Sequence, residues 1–169
     1  TAMSNHYEDE TIVCHTDSVE ATTDLGRRVG QWAAELHDGI CIALIGDLGT
    51  GKTHFSQGIA LGYGVMDDVT SPTFALMNTY EGTNGPLYHF DLYRLEDESE
   101  LDGIGFYEFT EDTVSIVEWA DKFPDALPDE TIFIEITRLS DTERTITLRS
   151  DYVSTADLEK LGGHYVFGN

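Results

Sequence analysis

The sequence is short of positive charge. Its 169 residues contain 9 Lys and Arg, only three of them lysines, against 32 Asp and Glu, so the formal net charge is −23. A surface this negative repels a polyanion, and we expect no strong direct binding to nucleic acid through phosphate neutralisation. Two readings of the acidity stay open: adaptation to a salty cytoplasm, or a solubilising surface.

Cysteines and long apolar runs are also scarce. Cys14 and Cys41 are too few for a disulfide framework and lack metal-ligand spacing, so we expect buried thiols in a reducing cytoplasm. The sequence has no stretch of 18 apolar residues and begins with a polar, acidic segment, which favours a cytoplasmic protein without a membrane span or secretory signal. Residues 1–10 are predicted to be a disordered N-terminus or a cloning remnant, and residues 11–169 one domain.

The first half of the sequence has a strand, loop and helix pattern. Residues 15–39 carry apolar side chains at helical spacing and end in a glycine, and the apolar run Ile40–Ile45 is typical of a buried parallel strand. A glycine-rich loop at 46–51 follows, and residues 52–64 return to helical spacing. This order predicts a buried strand that feeds a loop and a helix.

The second half alternates in the manner of strands. The segments 74–81 and 85–95 predict a hairpin, 96–110 one or two short helical turns, 113–119 a second apolar strand, and 131–150 another antiparallel pair. The tail after Tyr152 is weakly patterned. The pattern as a whole predicts an α/β fold, a mixed central sheet flanked by helices, with antiparallel hairpins.

The stretch "GDLGTGKT" matches the phosphate-binding pattern G-x-x-x-x-G-K-[ST] in full. Its glycines let backbone N–H groups point at phosphate oxygens, and the following helix N-terminus adds the positive end of its dipole. Lys52 is expected to reach the β and γ phosphates, and Thr53 to offer its hydroxyl to Mg²⁺. The motif predicts a P-loop NTPase domain whose nucleotide-binding residues include Asp47, Leu48, Gly49, Thr50, Gly51, Lys52 and Thr53.

A P-loop usually requires a further acid for the metal or the attacking water, at the end of a neighbouring buried strand. Asp91 follows the apolar run "LYHF" and Glu118 follows "VSIV", so both are candidates for catalysis and for the metal site with Thr53. The alternatives are a hairpin-surface carboxylate at Asp91 and a strand-end acid beside a helix cap at Glu118. His89 is more typical of an ordinary strand histidine than of a ligand.

Four segments occur together in one order and spacing: "GDLGTGKT" at 46–53, "VTSPTF" at 69–74, "YHFDLYRL" at 88–95 and "VEW" at 117–119. With them the sequence resembles the bacterial tRNA threonylcarbamoyladenosine biosynthesis ATPase family, TsaE or YjeE, over about residues 18–149. The P-loop alone is generic, whereas the other three segments are specific. The sequence departs from the family's pattern at Ala120, where proline is frequent, and at His54, where threonine is common.

The resemblance implies a set of roles. It implies ATP and Mg²⁺ as ligands, Asp91 and Glu118 in metal binding and hydrolysis, and a switch-like loop at 70–74 near the γ phosphate. Pro72 stiffens that loop and favours an extended conformation before it. The residues it implies near the nucleotide outside the P-loop are Thr70, Ser71, Thr73, Trp119 and Arg144, with the segments 18–22 and 143–144 bordering the base.

The resemblance also implies the biological role and the partners. It implies an ATPase, slow alone, that supports turnover of the threonylcarbamoyl-transferase subunits of TsaB and TsaD type. A P-loop kinase is an alternative, but the arginines show no lid cluster apart from Arg27 and Arg28. A GTPase is another, but the sequence lacks an N-K-x-D guanine signature. A nucleotide-binding module without hydrolysis is the third.

Overall fold

The computed structural model describes residues 11–47, 49–70, 72 and 76–168. Its short helical turns of 3-10 type are Ala120–Lys122, Pro124–Ala126 and Gly163–Tyr165. The main elements in chain order are β1 (Thr11–Thr16), α1 (Val19–Ala34), β2 (Ile40–Ile45), α2 (Lys52–Tyr63), β3 (Met77–Gly82), β4 (Gly85–Asp91), α3 (Glu100–Gly103), α4 (Phe106–Thr110), β5 (Val114–Glu118), β6 (Thr131–Arg138), β7 (Arg144–Arg149) and α5 (Thr155–Gly162).

The described strands form one mixed sheet in the order β1-β7-β6-β2-β5-β4-β3. Strand β2 lies at the centre, parallel to β5 on one side and β6 on the other, and β4 extends the parallel region beyond β5. The pairs β3 with β4, β6 with β7 and β1 with β7 are antiparallel. The predicted mixed α/β sheet with antiparallel hairpins is therefore confirmed.

Each face of the sheet buries its own apolar cluster. The larger cluster packs α1, α2 and α5 against side chains such as Ile42, Leu44 and Ile116. The smaller one packs α3 and α4 against the opposite face through Phe90 and Phe106, whose rings meet edge to face at 5.1 Å. Successive strand residues point to opposite faces, so central strands covered on both faces must be apolar throughout.

Two elements were not predicted from the sequence. β1 pairs with β7 at the edge of the sheet, and its last two residues, 15 and 16, lie in the segment whose spacing predicts the following helix. That helix begins only at Val19, capped by the Ser18 hydroxyl, which accepts from the N–H of Ala21 at 3.0 Å. α5 lies in the weakly patterned tail, and Ser154 caps its N-terminus.

The predicted burial of both cysteines is confirmed. Cys14 and Cys41 are buried and unpaired, and burial raises the pKa of each thiol to about 11. Neither thiol is therefore a reactive thiolate at neutral pH. Within the described residues no helix is both long and apolar enough to span a membrane.

Helices α1 and α2 pack almost backbone to backbone through glycines. A Cβ atom added at Gly30 would lie 2.0 Å from the Ile59 carbonyl oxygen, and one at Gly58 would lie 2.1 Å from the carbonyl oxygen of Thr23. A Cβ at Gly26 or Gly62 would likewise lie 2.5 or 2.1 Å from a backbone carbonyl oxygen of the facing helix. Each helix thus carries a G-x-x-x-G spacing, which puts its two glycines on one face and permits close approach.

Gly30→Ala should destabilise the fold, because its methyl group collides with backbone that cannot rotate away. Overpacking of this kind costs roughly 1–3 kcal/mol. Gly103→Ala is the matched control, since a Cβ there meets no heavy atom within 4 Å. Thermal unfolding should show a lower Tm for Gly30→Ala and an equal or higher Tm for Gly103→Ala. Equal Tm values for the two variants would contradict the close packing.

Candidate functional site

The glycine-rich loop connects the end of β2 to the start of α2. Two hydrogen bonds from Thr50 to the carbonyl of Asp47 stabilise its turn. Gly49 and Gly51 have φ angles of 80° and 102°, the left-handed region that glycine adopts without strain. The Thr50 hydroxyl donates to the Asp47 carbonyl at 2.9 Å, and the Thr50 N–H donates to the same oxygen at 3.3 Å. Of the predicted loop residues, Leu48 lies outside the described part of the chain.

Lys52 is the first residue of α2, and its side chain turns back into the loop. Its Nζ donates to the Gly46 carbonyl and lies 3.7 Å above the centre of the Trp119 ring. Burial lowers the pKa of the Lys52 ammonium, and the Glu118 and Asp91 carboxylates partly offset that effect. The ammonium is thus held by a carbonyl and an aromatic face, weaker partners than an anion would be.

Arg144, the first residue of β7, contacts the glycine-rich loop through its guanidinium group. Its Nε donates to the Thr50 carbonyl at 2.7 Å, and its Nη1 donates to the carbonyls of Ser140 and Glu143 at 2.6 and 2.8 Å. The segments expected to border the base do come together beside the loop. They line a shallow pocket formed by Ser18, Val19, Thr22, Gly51, His54, Thr142 and Arg144.

The two predicted acids lie side by side at one edge of the sheet. Glu118 is in register with Leu44 of β2 on one side and with Asp91 of β4 on the other. Because all three strands are parallel, their carboxyl ends meet beside the loop that leaves β2. Glu118 is only 3% exposed, whereas Asp91 is half-buried. The expectation that such an acid ends a neighbouring buried strand holds for Glu118; Asp91 lies one strand further out.

The surroundings of Asp91 disfavour the charged form of its carboxyl group. Burial raises the pKa of its carboxyl, the nearby Glu118 raises it further, and a hydrogen bond from the Tyr93 N–H at 3.0 Å acts against both. A carboxylate that is partly dehydrated beside a second carboxylate gains from any cation that arrives there. Within the described residues, however, no group of three or more His, Cys, Asp or Glu is arranged to hold a metal by itself.

His89 was expected to be an ordinary strand histidine, and the structure gives it a specific partner. Its ring is fully buried, and its Nε2 lies 2.6 Å from Oε2 of Glu118. His89 and Asp91 are two residues apart on β4, so they point to the same face as Glu118. That two-residue spacing was the sequence signal, but it identifies no partner until the neighbouring strand is known.

Trp119 follows Glu118 in a strained conformation. Its φ of 58° is unusual for a bulky residue, and such outliers cost of order 1–3 kcal/mol. The ring packs against Tyr93 at 4.8 Å between centroids and receives the Lys52 ammonium on its face. Trp119 also lines an open cleft of about 470 Å³, together with Gly46, Asp47, Thr50, Asp121, Thr137 and Arg138.

The segment before β3 is held by hydrogen bonds to α2 and β3. The carbonyl of Thr70 accepts from the Tyr80 hydroxyl at 3.3 Å and from Asn78 at 3.4 Å, and the neighbouring Val69 carbonyl accepts from Gln57 of α2 at 3.1 Å. These contacts tie the start of the predicted switch-like loop to α2 and β3. Ser71 and Thr73 of that loop lie outside the described residues.

Comparison with known proteins agrees with the motif-based resemblance. A family model for the threonylcarbamoyl adenosine biosynthesis protein TsaE matches residues 4–146. The tRNA threonylcarbamoyladenosine biosynthesis protein TsaE of Bacillus subtilis (strain 168) is 46% identical over 115 residues, 68% of this chain and 72% of the relative. The protein of that name from Treponema pallidum (strain Nichols) is 38% identical over 136 residues, 80% of this chain and 98% of the relative.

A solved structure supports the same assignment. The crystal structure of YdiB from Bacillus subtilis aligns with a TM-score of 0.67 and 32% sequence identity, covering 89% of this chain and 93% of that one. The chain therefore belongs to the threonylcarbamoyl adenosine biosynthesis protein TsaE family, and the resemblance read from its motifs is confirmed.

Asp91→Asn should stabilise the protein at neutral pH. A raised carboxyl pKa means that the folded state holds the Asp91 proton more tightly than the unfolded chain, so the parent loses stability as the pH rises above the ordinary value of 3.8. Asparagine carries no charge, and its side-chain oxygen can still accept from the Tyr93 N–H. The Tm difference between variant and parent should therefore grow with pH and then level off.

Asp121→Asn is the control for that measurement, because Asp121 is exposed in the turn after Trp119 and a surface change of this kind has little effect on stability. Melting curves at several pH values check both variants. A lower Tm for Asp91→Asn at neutral pH would contradict the electrostatic account of this carboxyl.

Proposed function

We propose that this chain is a P-loop ATPase that binds ATP with Mg²⁺ at the glycine-rich loop and acts in tRNA threonylcarbamoyladenosine biosynthesis. One observation carries the proposal. The parallel pairing of β2, β5 and β4 brings the loop with its buried Lys52 to the same sheet edge as Glu118 and Asp91. A phosphate cradle and two carboxylates at one edge are the parts that nucleotide hydrolysis requires.

The loop is suited to a triphosphate. Left-handed glycines at 49 and 51 expose backbone N–H groups, and α2 begins directly after them, so its N-terminus faces the loop. Lys52 exchanges its carbonyl and ring partners for phosphate oxygens, which are stronger partners for an ammonium. We infer that the base lies beside Gly51, between α1 and Arg144, where the free space is only about 10 Å³, so these side chains must move apart when it binds.

The residues present fit Mg²⁺. Mg²⁺ prefers oxygen ligands and is usually held by one or two carboxylates together with substrate phosphates, so a site without a complete protein cage is the expected form. The oxygen ligands proposed for the ion are the hydroxyl of Thr53, which follows Lys52 on α2, and the carboxylates of Asp91 and Glu118. When bound, the ion neutralises charge on the phosphates during transfer.

The acids divide two tasks between them. One supports the metal, and the other orients a water molecule for attack on the γ phosphate. Glu118 is buried and fixed by a hydrogen bond, which suits it to hold a water in one direction. Asp91 is more exposed and electrostatically strained, which suits it to a cation.

The names of the relatives support the proposed pathway. Proteins similar to this chain are named for tRNA threonylcarbamoyladenosine biosynthesis. With a net charge of −23 the chain has little attraction for the tRNA backbone, so we infer that it acts through threonylcarbamoyl-transferase subunits of TsaB and TsaD type in the cytoplasm. The loop at 70–74 would report the nucleotide state to them.

Lys52→Ala should weaken ATP binding by at least about tenfold, because each charge-assisted bond to phosphate is worth roughly 1.5–3 kcal/mol. Lys160→Ala is the matched control, since Lys160 is an exposed lysine on α5. Calorimetric titration with ATP and Mg²⁺ measures both. A folded Lys52→Ala variant with parental affinity would refute the proposed phosphate site.

ATP hydrolysis by the purified chain, alone and with the transferase subunits, tests the function itself. We expect slow hydrolysis alone, a clear increase with the subunits, and negligible tRNA binding by the lone chain at moderate salt. Glu118→Gln should abolish most of the hydrolysis while ATP still binds. The opposite pattern, tight tRNA binding by the chain alone with an ATPase that the subunits leave unaltered, would overturn the partner-dependent role.

A further inference from the structure

We propose that His89 is a positioning residue that holds the Glu118 carboxylate in the direction required for hydrolysis. The inference rests on the proposed ATPase function and assigns a role to a side chain that the sequence predicts to be an ordinary strand histidine. It is carried by the buried contact of 2.6 Å between Nε2 of His89 and Oε2 of Glu118, across neighbouring parallel strands β4 and β5.

The position of the imidazole proton follows from the surroundings of the ring. Nδ1 of His89 is buried and has no hydrogen-bond partner within the part of the chain that the structure describes. A proton on Nδ1 would be a buried, unsatisfied N–H, which is rarer in proteins than an unsatisfied acceptor. A carboxylate oxygen accepts, so we assign the contact of 2.6 Å as Nε2–H donating to Glu118.

The ring is a firm anchor for this bond. His89 lies within β4, paired with Asn78 of β3 on one side and with Ile116 of β5 on the other, and its side chain is 0% exposed. A ring packed in that way has one direction available to its Nε2–H. Glu118 has three rotatable side-chain bonds, and the contact with the rigid ring restricts the orientation of its carboxylate.

The hydrogen bond from His89 counteracts the attraction of the Lys52 ammonium for the Glu118 carboxylate. Of the charges acting on the Lys52 ammonium, Glu118 has the largest influence. The two groups attract each other across the loop, and a carboxylate drawn onto the ammonium would compete with the phosphates. The hydrogen bond from His89 keeps one carboxylate oxygen on the β4 side of the site, away from that competition.

Stability alone does not account for this pair. A buried carboxylate and its hydrogen-bond donor are costly to dehydrate, and replacing both groups by apolar side chains of similar volume is often neutral or stabilising. The pair also lies at the carboxyl end of the parallel strands, where Glu118 borders the site, and not in the middle of the apolar clusters. At this place in the fold, the direction of the Glu118 carboxylate affects the proposed hydrolysis.

Two amide substitutions separate positioning from packing. In His89→Gln the side-chain nitrogen falls near the place of Nε2 and can still donate to Glu118, whereas in His89→Asn it falls near Nδ1 and cannot. With the transferase subunits present, His89→Asn should lower kcat about 10- to 100-fold, as misplacement by about 1 Å does, while the ATP dissociation constant changes little. His89→Gln should recover most of the parental kcat.

A spectroscopic measurement tests the contact without relying on activity. In the ¹⁵N-histidine NMR spectrum of the full chain, the His89 signals, identified by their loss in His89→Gln, should show the proton on Nε2 and a bare Nδ1. A ring with its Nε2 unprotonated would overturn the proposed bond.

The outcomes also distinguish this inference from the proposed function. If the parent hydrolyses ATP and both His89 variants lose kcat equally, in step with their Tm, the histidine is merely structural. If the parent hydrolyses ATP and His89→Asn keeps the parental kcat, the inference fails and the ATPase stands. If the parent fails to hydrolyse ATP even with the subunits, the ATPase proposal falls and this role falls with it.

Discussion

The parallel pairing of β2 with β5, and of β5 with β4, is the constraint on which the candidate site depends. In a parallel sheet the carboxyl ends of the strands lie at one edge, so the loop that leaves β2 and the acids that end β5 and β4 must meet there. The register sets Glu118 directly between Leu44 and Asp91. A shift of one residue would turn these side chains to the opposite face of the sheet.

A second constraint sets where α2 begins. The glycines of α1 and α2 let the two helices approach until backbone contacts backbone, which fixes α2 against α1 with little freedom to slide. Because Lys52 is the first residue of α2, this packing also fixes the base of its side chain. The loop is further secured from β7 by Arg144, whose guanidinium holds the Thr50 carbonyl. Two rigid elements, α2 and β7, thus support the loop.

The sequence predicted the parts of the structure that depend on local pattern. The apolar run before the loop, the helix after it and the two hairpins follow from periodicity, and Glu118 and Asp91 were identified because they end apolar runs. The contacts of His89 with Glu118 and of Arg144 with Thr50 join residues 29 and 94 positions apart, so no local pattern contains them. β1 was missed because a six-residue edge strand alternates too briefly to stand out against the helix that follows.

The central claim is that the loop and the two carboxylates form one ATP site, and a crystal structure of the chain with Mg²⁺ and a non-hydrolysable ATP analogue tests it most directly. The account predicts that the triphosphate lies in the loop at 46–51, with Lys52 moved from the Trp119 ring onto phosphate oxygens. It also predicts that Asp91 and Glu118 face the metal and the γ phosphate. A nucleotide bound elsewhere, or a Lys52 ammonium still on Trp119 while the nucleotide is bound, would contradict it.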